Sequence, residues 1–225
     1  MIPIGDDDST RRTFPIVTYA LIAANVLFFL VELSGGNLFI EKWAFVPQRF
    51  LGNPGGDFLT ILTSMFMHAG WIHLGGNMLY LWIFGDNVED RFGHVKFLLF
   101  YLLCGVAATF AQLAFSIGSS VPNLGASGAI AGVLGSYIIM FPQEQVKVLM
   151  GRAITSVSAL IVIGGWILIQ FVSGIGSIAA TTTSTGGVAY LAHIGGFIAG
   201  VVLTFLFRGN SGSVGGRLSA PGAQG

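Results

Sequence analysis

The sequence predicts an all-α polytopic membrane protein, a bundle of six transmembrane helices with its N- and C-termini in the cytoplasm. Three observations predict it. Hydrophobic residues make up 53% of the 225 and charged residues 9%, whereas about a quarter of a soluble domain is charged; mean hydropathy is +0.79. Six apolar segments occur, at about 14–33, 72–88, 95–117, 127–141, 153–173 and 188–207. Threaded as six spans, the chain places Arg11, Arg12, Arg91, Lys96, Lys147, Arg152, Arg208 and Arg217 on one side and only Lys42 and Arg49 on the other. Cations accumulate on the cytoplasmic side of membrane proteins, so the loops at about 34–71, 118–126 and 174–187 face outward.

Residues 1–12 form a cytoplasmic N-terminal segment. The apolar run that follows is long, and Ala20, Ala23 and Ala24 lie in its middle rather than after it, so it reads as an uncleaved span and not a signal peptide. The acidic start from Asp6 to Asp8 argues against an organelle transit peptide, and a prokaryotic plasma membrane is the expected address. The membrane domain covers 13–208. Residues 209–225, rich in Gly and Ser and almost free of apolar side chains, read as a disordered tail. The formal net charge is zero, which gives no reason to expect a nucleic-acid partner. Cys104, the single cysteine, has no disulfide partner and reads as a packing residue.

The fourth segment carries the first chemical signal. From Ser127 to Phe141 a helix covers about 22 Å of a hydrocarbon core about 30 Å thick. With Pro142, Gln143 and Glu144 at its polar end, Ser127 is sunk below the outer surface. The preceding loop, Gly118 to Ala126, holds Pro122 and no charge. To reach a sunken serine its backbone must be irregular at membrane depth, which is tolerated only beside protein or a water-filled cavity. Gly125 and Gly128 permit a sharp entry and close approach. A serine at a helix start has free N–H groups and the positive dipole end beside its oxygen, an environment suited to an oxyanion. The same Gly125-Ala126-Ser127-Gly128 is also compatible with a plain N-cap and small-residue packing.

In the sixth segment His193 precedes Phe207 by as many residues as Ser127 precedes Phe141, so the two share a depth. An ionisable side chain inside a span is costly and functional by default. Gly196 and Gly200 share a helix face with His193, and Ala131 and Gly135 share one with Ser127. Small residues on both faces let two backbones approach closely enough for a serine–histidine hydrogen bond. In the second segment His73 and Asn77, four apart, project from one face near the outer end, two donors suited to a developing oxyanion. His68, His73 and His193 are the alternative as metal ligands. No carboxylate or cysteine accompanies them, so no metal and no cofactor is expected.

These residues resemble the hallmarks of the rhomboid intramembrane serine proteases: His73-x-x-x-Asn77 in the second helix, Gly125-Ala126-Ser127-Gly128 in the fourth and Ala192-His193-Ile194-Gly195-Gly196 in the sixth. The resemblance extends over nearly the whole six-span core and implies a rhomboid-like bundle. It implies Ser127 as nucleophile, His193 as general base without an acidic third member, and an oxyanion hole from His73, Asn77 and the Ser127 N–H. The substrates implied are transmembrane helices, cleaved near the extracytoplasmic face. Val88-Glu89-Asp90-Arg91-Phe92-Gly93 is similar to a structural stretch after the second helix, and the fifth helix with the 174–187 loop looks like the family's gate and cap. Two departures stand out. Leu59-Thr60 occupies the place of a Trp-Arg pair in the first outer loop, and Ala131 that of a tyrosine that stacks on the catalytic histidine.

Two other classes remain open to the sequence. A rhomboid-like membrane chaperone would bind helices without cutting them, and loss of the serine or histidine would mark it. A small-solute channel would carry polar residues through the whole membrane depth.

Overall fold

The computed structural model describes residues 1–7, 11–179 and 189–208; the expected tail at 209–225 and most of the loop after the fifth helix lie outside them. Among the described residues there are six long helices: α1 (Ile16–Trp43), α2 (Trp71–Phe92), α3 (His94–Phe115), α4 (Ser127–Met140), α5 (Ala159–Ala179) and α6 (Tyr190–Phe207). Four of them, α1, α3, the Ala159–Gly176 part of α5, and α6, are long and apolar enough to cross a membrane. At 14 residues α4 is shorter, about 21 Å at 1.5 Å per residue. It is also the most enclosed, with Gly128 to Tyr137 all buried by α2, α3, α5 and α6. Over Gly128 to Tyr137 the helix packs on protein, and only its last turn, at Ile139, is exposed, which relaxes the usual length requirement.

Two boundaries differ from the sequence expectation. The first helix runs on from the expected end near residue 33 to Trp43, broken only at Gly36, whose φ of 57° and ψ of −149° redirect the chain. That backbone geometry is open to glycine and strained for other residues, so part of the expected outer loop is helical. The expected fifth segment at 153–173 begins as a strand. Antiparallel strands β2 (Gln145–Met150) and β3 (Ala153–Ser158) form a hairpin, and β1 (Ile2–Gly5) adds to β2 on its other side. Gly151, at φ 63°, supplies the positive φ of a tight hairpin turn. Val146 and Val148 are buried while Gln145 and Lys147 are exposed, the period-2 alternation of a half-buried strand. The N-terminal segment is thus tied to the helix bundle by this sheet.

The same end of the bundle carries a set of carboxylate caps. Glu89, fully buried near the end of α2, accepts from the N–H groups of Val17 and Thr18 (2.9 and 2.7 Å) and from the Thr18 hydroxyl (2.7 Å). The first turn of α1 has unpaired N–H groups and a positive dipole end, and a carboxylate answers both. Asp90 binds the N–H groups of Arg12 and Thr13 and the Thr13 hydroxyl, and Asp86 pairs with Arg11. The Val88–Gly93 stretch is structural in this sense: it fixes where α1 enters the bundle.

Candidate active site

Ser127 is the first residue of α4, with Ala126 as its cap and no side-chain capping bond. Its hydroxyl turns to α6. Ser127 Oγ lies 2.8 Å from His193 Nε2, at the wall of a cavity of about 1140 Å³. The plain N-cap alternative is therefore not the geometry that forms.

What brings the two helices so close is glycine against glycine. A Cβ on Gly196 would fall on the Gly128 carbonyl group, and one on Gly200 on the backbone of Gly132. Gly135 fits against the Phe197 carbonyl. The expected packing residues Gly128, Gly135, Gly196 and Gly200 all lie in this contact, and Gly132 joins them. Ser127 faces the cavity, and the position after it turns into the neighbouring helix, as 100° per residue requires. The start of α6 is steadied from α3: Gln112 Oε1 accepts the Ala192 N–H at 3.2 Å, one of the first-turn donors that a helix leaves unpaired.

The approach to Ser127 is pinned to the first outer loop. The Asn123 N–H donates to the Phe45 carbonyl (2.7 Å), and the Gly125 N–H to the Ser64 carbonyl (2.9 Å). Where the family resemblance implies a Trp-Arg pair and Leu59-Thr60 stands, Arg49 does the fastening. Its guanidinium pairs with Asp57 at 2.8 Å and donates to the carbonyls of Ala44 and Glu41. Thr63 Oγ1 adds a bond to the Trp43 carbonyl (2.7 Å). The buried Glu32 of α1 accepts the His68 N–H at 2.9 Å.

His73 and Asn77 lie on the cavity side of α2 and line the same space as Ser127. The Ala69 N–H donates to His73 Nδ1 at 3.3 Å, so the neutral ring carries its proton on Nε2. That edge abuts Gly125, where a Cβ would lie 3.0 Å from Nε2 and 3.7 Å from Ser127 Oγ. Gly125 sits at φ 127°, a conformation few other residues adopt, and its missing side chain keeps the space between His73 and Ser127 open. Asn77 is buried, and among the described residues its Nδ2 has no hydrogen-bond acceptor. A buried amide donor is normally paired, which makes this one an exception beside the cavity.

One partner of the histidine escaped the sequence reading. His193 Nδ1 lies 2.8 Å from Gln170 Oε1 of α5. Trp166, one turn earlier on α5, lies over the imidazole with ring centroids 5.6 Å apart and planes at 38°. Where Ala131 stands the resemblance implies a tyrosine against this ring; here the aromatic contact comes from a different helix. In sequence Gln170 is one polar residue in an apolar run, and its four-residue spacing from Trp166 was the available signal. His68 is buried against Phe29 and His73, and among the described residues no group of three or more His, Cys, Asp or Glu side chains could hold a metal ion.

The Rhomboid domain family model matches residues 55–210. Among curated proteins, rhomboid protease GluP of Bacillus subtilis is 33% identical over 188 residues, covering 83% of this chain and 34% of that protein. Rhomboid protein 1, mitochondrial, of Saccharomyces cerevisiae is 28% identical over 192 residues, 83% of this chain and 51% of that protein. Putative rhomboid protease YdcA of Bacillus subtilis is 27% identical over 203 residues, 87% of this chain and 89% of that protein. The chain thus spans about a third of GluP and about half of the yeast relative.

Proposed function

This chain belongs to the rhomboid family of multi-pass membrane proteins, and we propose that it is an intramembrane serine endopeptidase that cleaves transmembrane helices through a Ser127–His193 dyad. The observation that carries the reading is the 2.8 Å contact between Ser127 Oγ and His193 Nε2 beside a large cavity.

His193 Nε2 takes the hydroxyl proton as Ser127 Oγ attacks the scissile carbonyl carbon. The carbonyl oxygen becomes an oxyanion and receives hydrogen bonds from Asn77 Nδ2, His73 Nε2 and the Ser127 N–H. Such donors act on charge that exists only in the transition state and intermediate, so they lower the barrier more than they tighten binding. Collapse breaks the C–N bond, the imidazolium returns its proton to the leaving amine, and an acyl-enzyme remains. Water in the cavity, deprotonated by His193, attacks the ester carbonyl; the C–Oγ bond breaks, the imidazolium returns the proton to Ser127 Oγ, and the carboxylic acid product leaves. Gly128, Gly196 and Gly200 hold the two helices at reacting distance, and Gly125 keeps the oxyanion space clear.

The cavity lies at the end of the bundle where α2, α4 and α6 begin, while Arg11, Arg91, Lys96 and Arg208 lie at the other end. Cations collect on the cytoplasmic side of membrane proteins, which supports a reading of six spans with both termini in the cytoplasm and the site toward the extracytoplasmic face of a prokaryotic plasma membrane. The residues 13–208 act as the membrane domain. Its partners are transmembrane protein substrates and the surrounding bilayer, with no nucleic acid and no cofactor.

The test is cleavage of a model transmembrane substrate by purified protein in liposomes, with Ser127→Ala alongside. Product from the wild type alone supports the protease. Binding of the substrate helix without product, in wild type and Ser127→Ala alike, moves the assignment to a helix-binding membrane protein.

A further inference from the structure

We propose that Gln170 is the positioning residue for the catalytic base: it fixes the tautomer of His193, the task that an aspartate performs in a three-membered hydrolytic triad. This inference rests on the dyad reading above and extends it to a third helix.

A neutral imidazole has one ring nitrogen that donates and one that accepts. To accept the Ser127 proton, Nε2 must be the unprotonated nitrogen, so Nδ1 must carry the hydrogen. In a buried site that N–H needs an acceptor, because leaving it unpaired favours the opposite tautomer, in which the ring points a proton at the serine and is inert as a base. Gln170 Oε1, 2.8 Å from Nδ1, is that acceptor. The amide's own orientation is set within α5: Gln170 Nε2 donates to the Trp166 carbonyl at 3.5 Å, which turns the oxygen, not the nitrogen, toward His193. Trp166 packs at a tilt against the same ring. Among the described residues the imidazole's hydrogen-bond partners are Ser127 and Gln170, with no carboxylate, and the ring that faces it across the cavity is His73.

An amide suits this place for a physical reason. Gln170 and His193 are both buried, and a carboxylate taken out of water without a full set of partners is costly. Gln170 orients the ring while adding no charge at membrane depth. Because the acceptor stands on α5 and the base on α6, the base is correctly formed only while α5 is seated against α6.

The test combines kinetics with nitrogen spectroscopy on the intact protein in detergent micelles. Gln170→Met keeps the side-chain length and removes the acceptor; kcat falls about ten- to a hundredfold with KM unchanged. Gln170→Glu keeps an acceptor oxygen and returns kcat to within a few-fold of wild type. With ¹⁵N-labelled histidine, and the His193 signals identified by His193→Ala, the wild type shows the proton on Nδ1 and Gln170→Met shows a shift toward the Nε2 form. A wild-type His193 protonated on Nε2 overturns the proposal whatever the variants do. So does Gln170→Met with unchanged kcat, provided cleavage still depends on Ser127. Cleavage that persists in Ser127→Ala contradicts the protease reading instead, and the two failures are distinct.

Discussion

Gly128 of α4 and Gly196 of α6 lie backbone against backbone, so close that a single methyl group on Gly196 would occupy the position of the Gly128 carbonyl. This contact sets the reach of the dyad, one helical turn from His193 on one side and next to Ser127 on the other. Gly196→Ala pushes the helices apart. An added methyl in a close-packed contact costs roughly 1–3 kcal/mol, and a misplacement of about 1 Å between reacting groups costs around a hundredfold in rate. The variant is expected to lose at least that much cleavage per folded molecule. Gly164→Ala on α5, where a new Cβ meets nothing within 4 Å, is expected to unfold at the wild-type temperature. Equal activity and equal melting of the two variants would remove the glycine contact from the account.

The dyad predicts non-additive losses. Ser127→Ala, His193→Ala and the double variant each remove the same proton-coupled attack, so the three are expected to fall to a common residual rate, as members of a catalytic unit do. Single-turnover cleavage of one substrate by all three checks it. Losses that multiply in the double variant would mean that serine and histidine act separately.

The proposed oxyanion role of Asn77 rests on an amide hydrogen with no protein acceptor among the described residues. Asn77→Ala is expected to lower kcat by roughly ten- to a thousandfold at nearly unchanged substrate affinity. Melting is expected to change little, since the amide gives up no protein bond through Nδ2. A loss of rate that only tracks a loss of folded protein would make Asn77 a helix-packing residue.

Much of this site could be read from residue order alone. Equal spacing from the far helix ends put Ser127 and His193 at one depth, and the four-residue spacing of His73 and Asn77 put them on one face, because both follow from helix geometry. Gln170 could not be placed that way. Its role depends on how α5 is rotated against α6, and its four-residue spacing from Trp166 marks one face of α5 without telling which helix that face meets. The β2–β3 hairpin was missed for a related reason: Val157 and the residues from Ala159 onward merge into one hydrophobic run, so the strand read as the start of a span. Its alternation at Val146 and Val148, with Gly151 at the turn, was the legible clue. Arg49 as the clamp of the first outer loop reaches carbonyl groups that no sequence pattern marks.

Acid is expected to loosen the entry of α1. Asp90 is partly buried, which alone would raise its pKa, but the Thr13 hydroxyl and the N–H groups of Arg12 and Thr13 bind the charged form, and the net effect holds the carboxyl below its ordinary value. A depressed carboxylate pKa contributes stability that is present above the unfolded value, near 3.9, and is lost as pH falls through the folded value. Asp90→Asn is therefore expected to be less stable than wild type at pH 7, on the order of 1 kcal/mol after solvent screening, with the gap closing below about pH 4. Thermal unfolding at a series of pH values checks the sign; a gap that widened in acid would reverse it.

The central claim is that His193 turns the Ser127 hydroxyl into a nucleophile, and the most direct measurement is covalent capture of that oxygen. A fluorophosphonate probe reacts with an activated serine, and peptide mapping by mass spectrometry locates the adduct. The account predicts a single adduct on Ser127 in the wild type, none in Ser127→Ala, and labelling slowed at least a hundredfold in His193→Ala at equal folded protein, the scale of a positioned general base. Equal labelling rates in wild type and His193→Ala, or an adduct on any other residue, would contradict it.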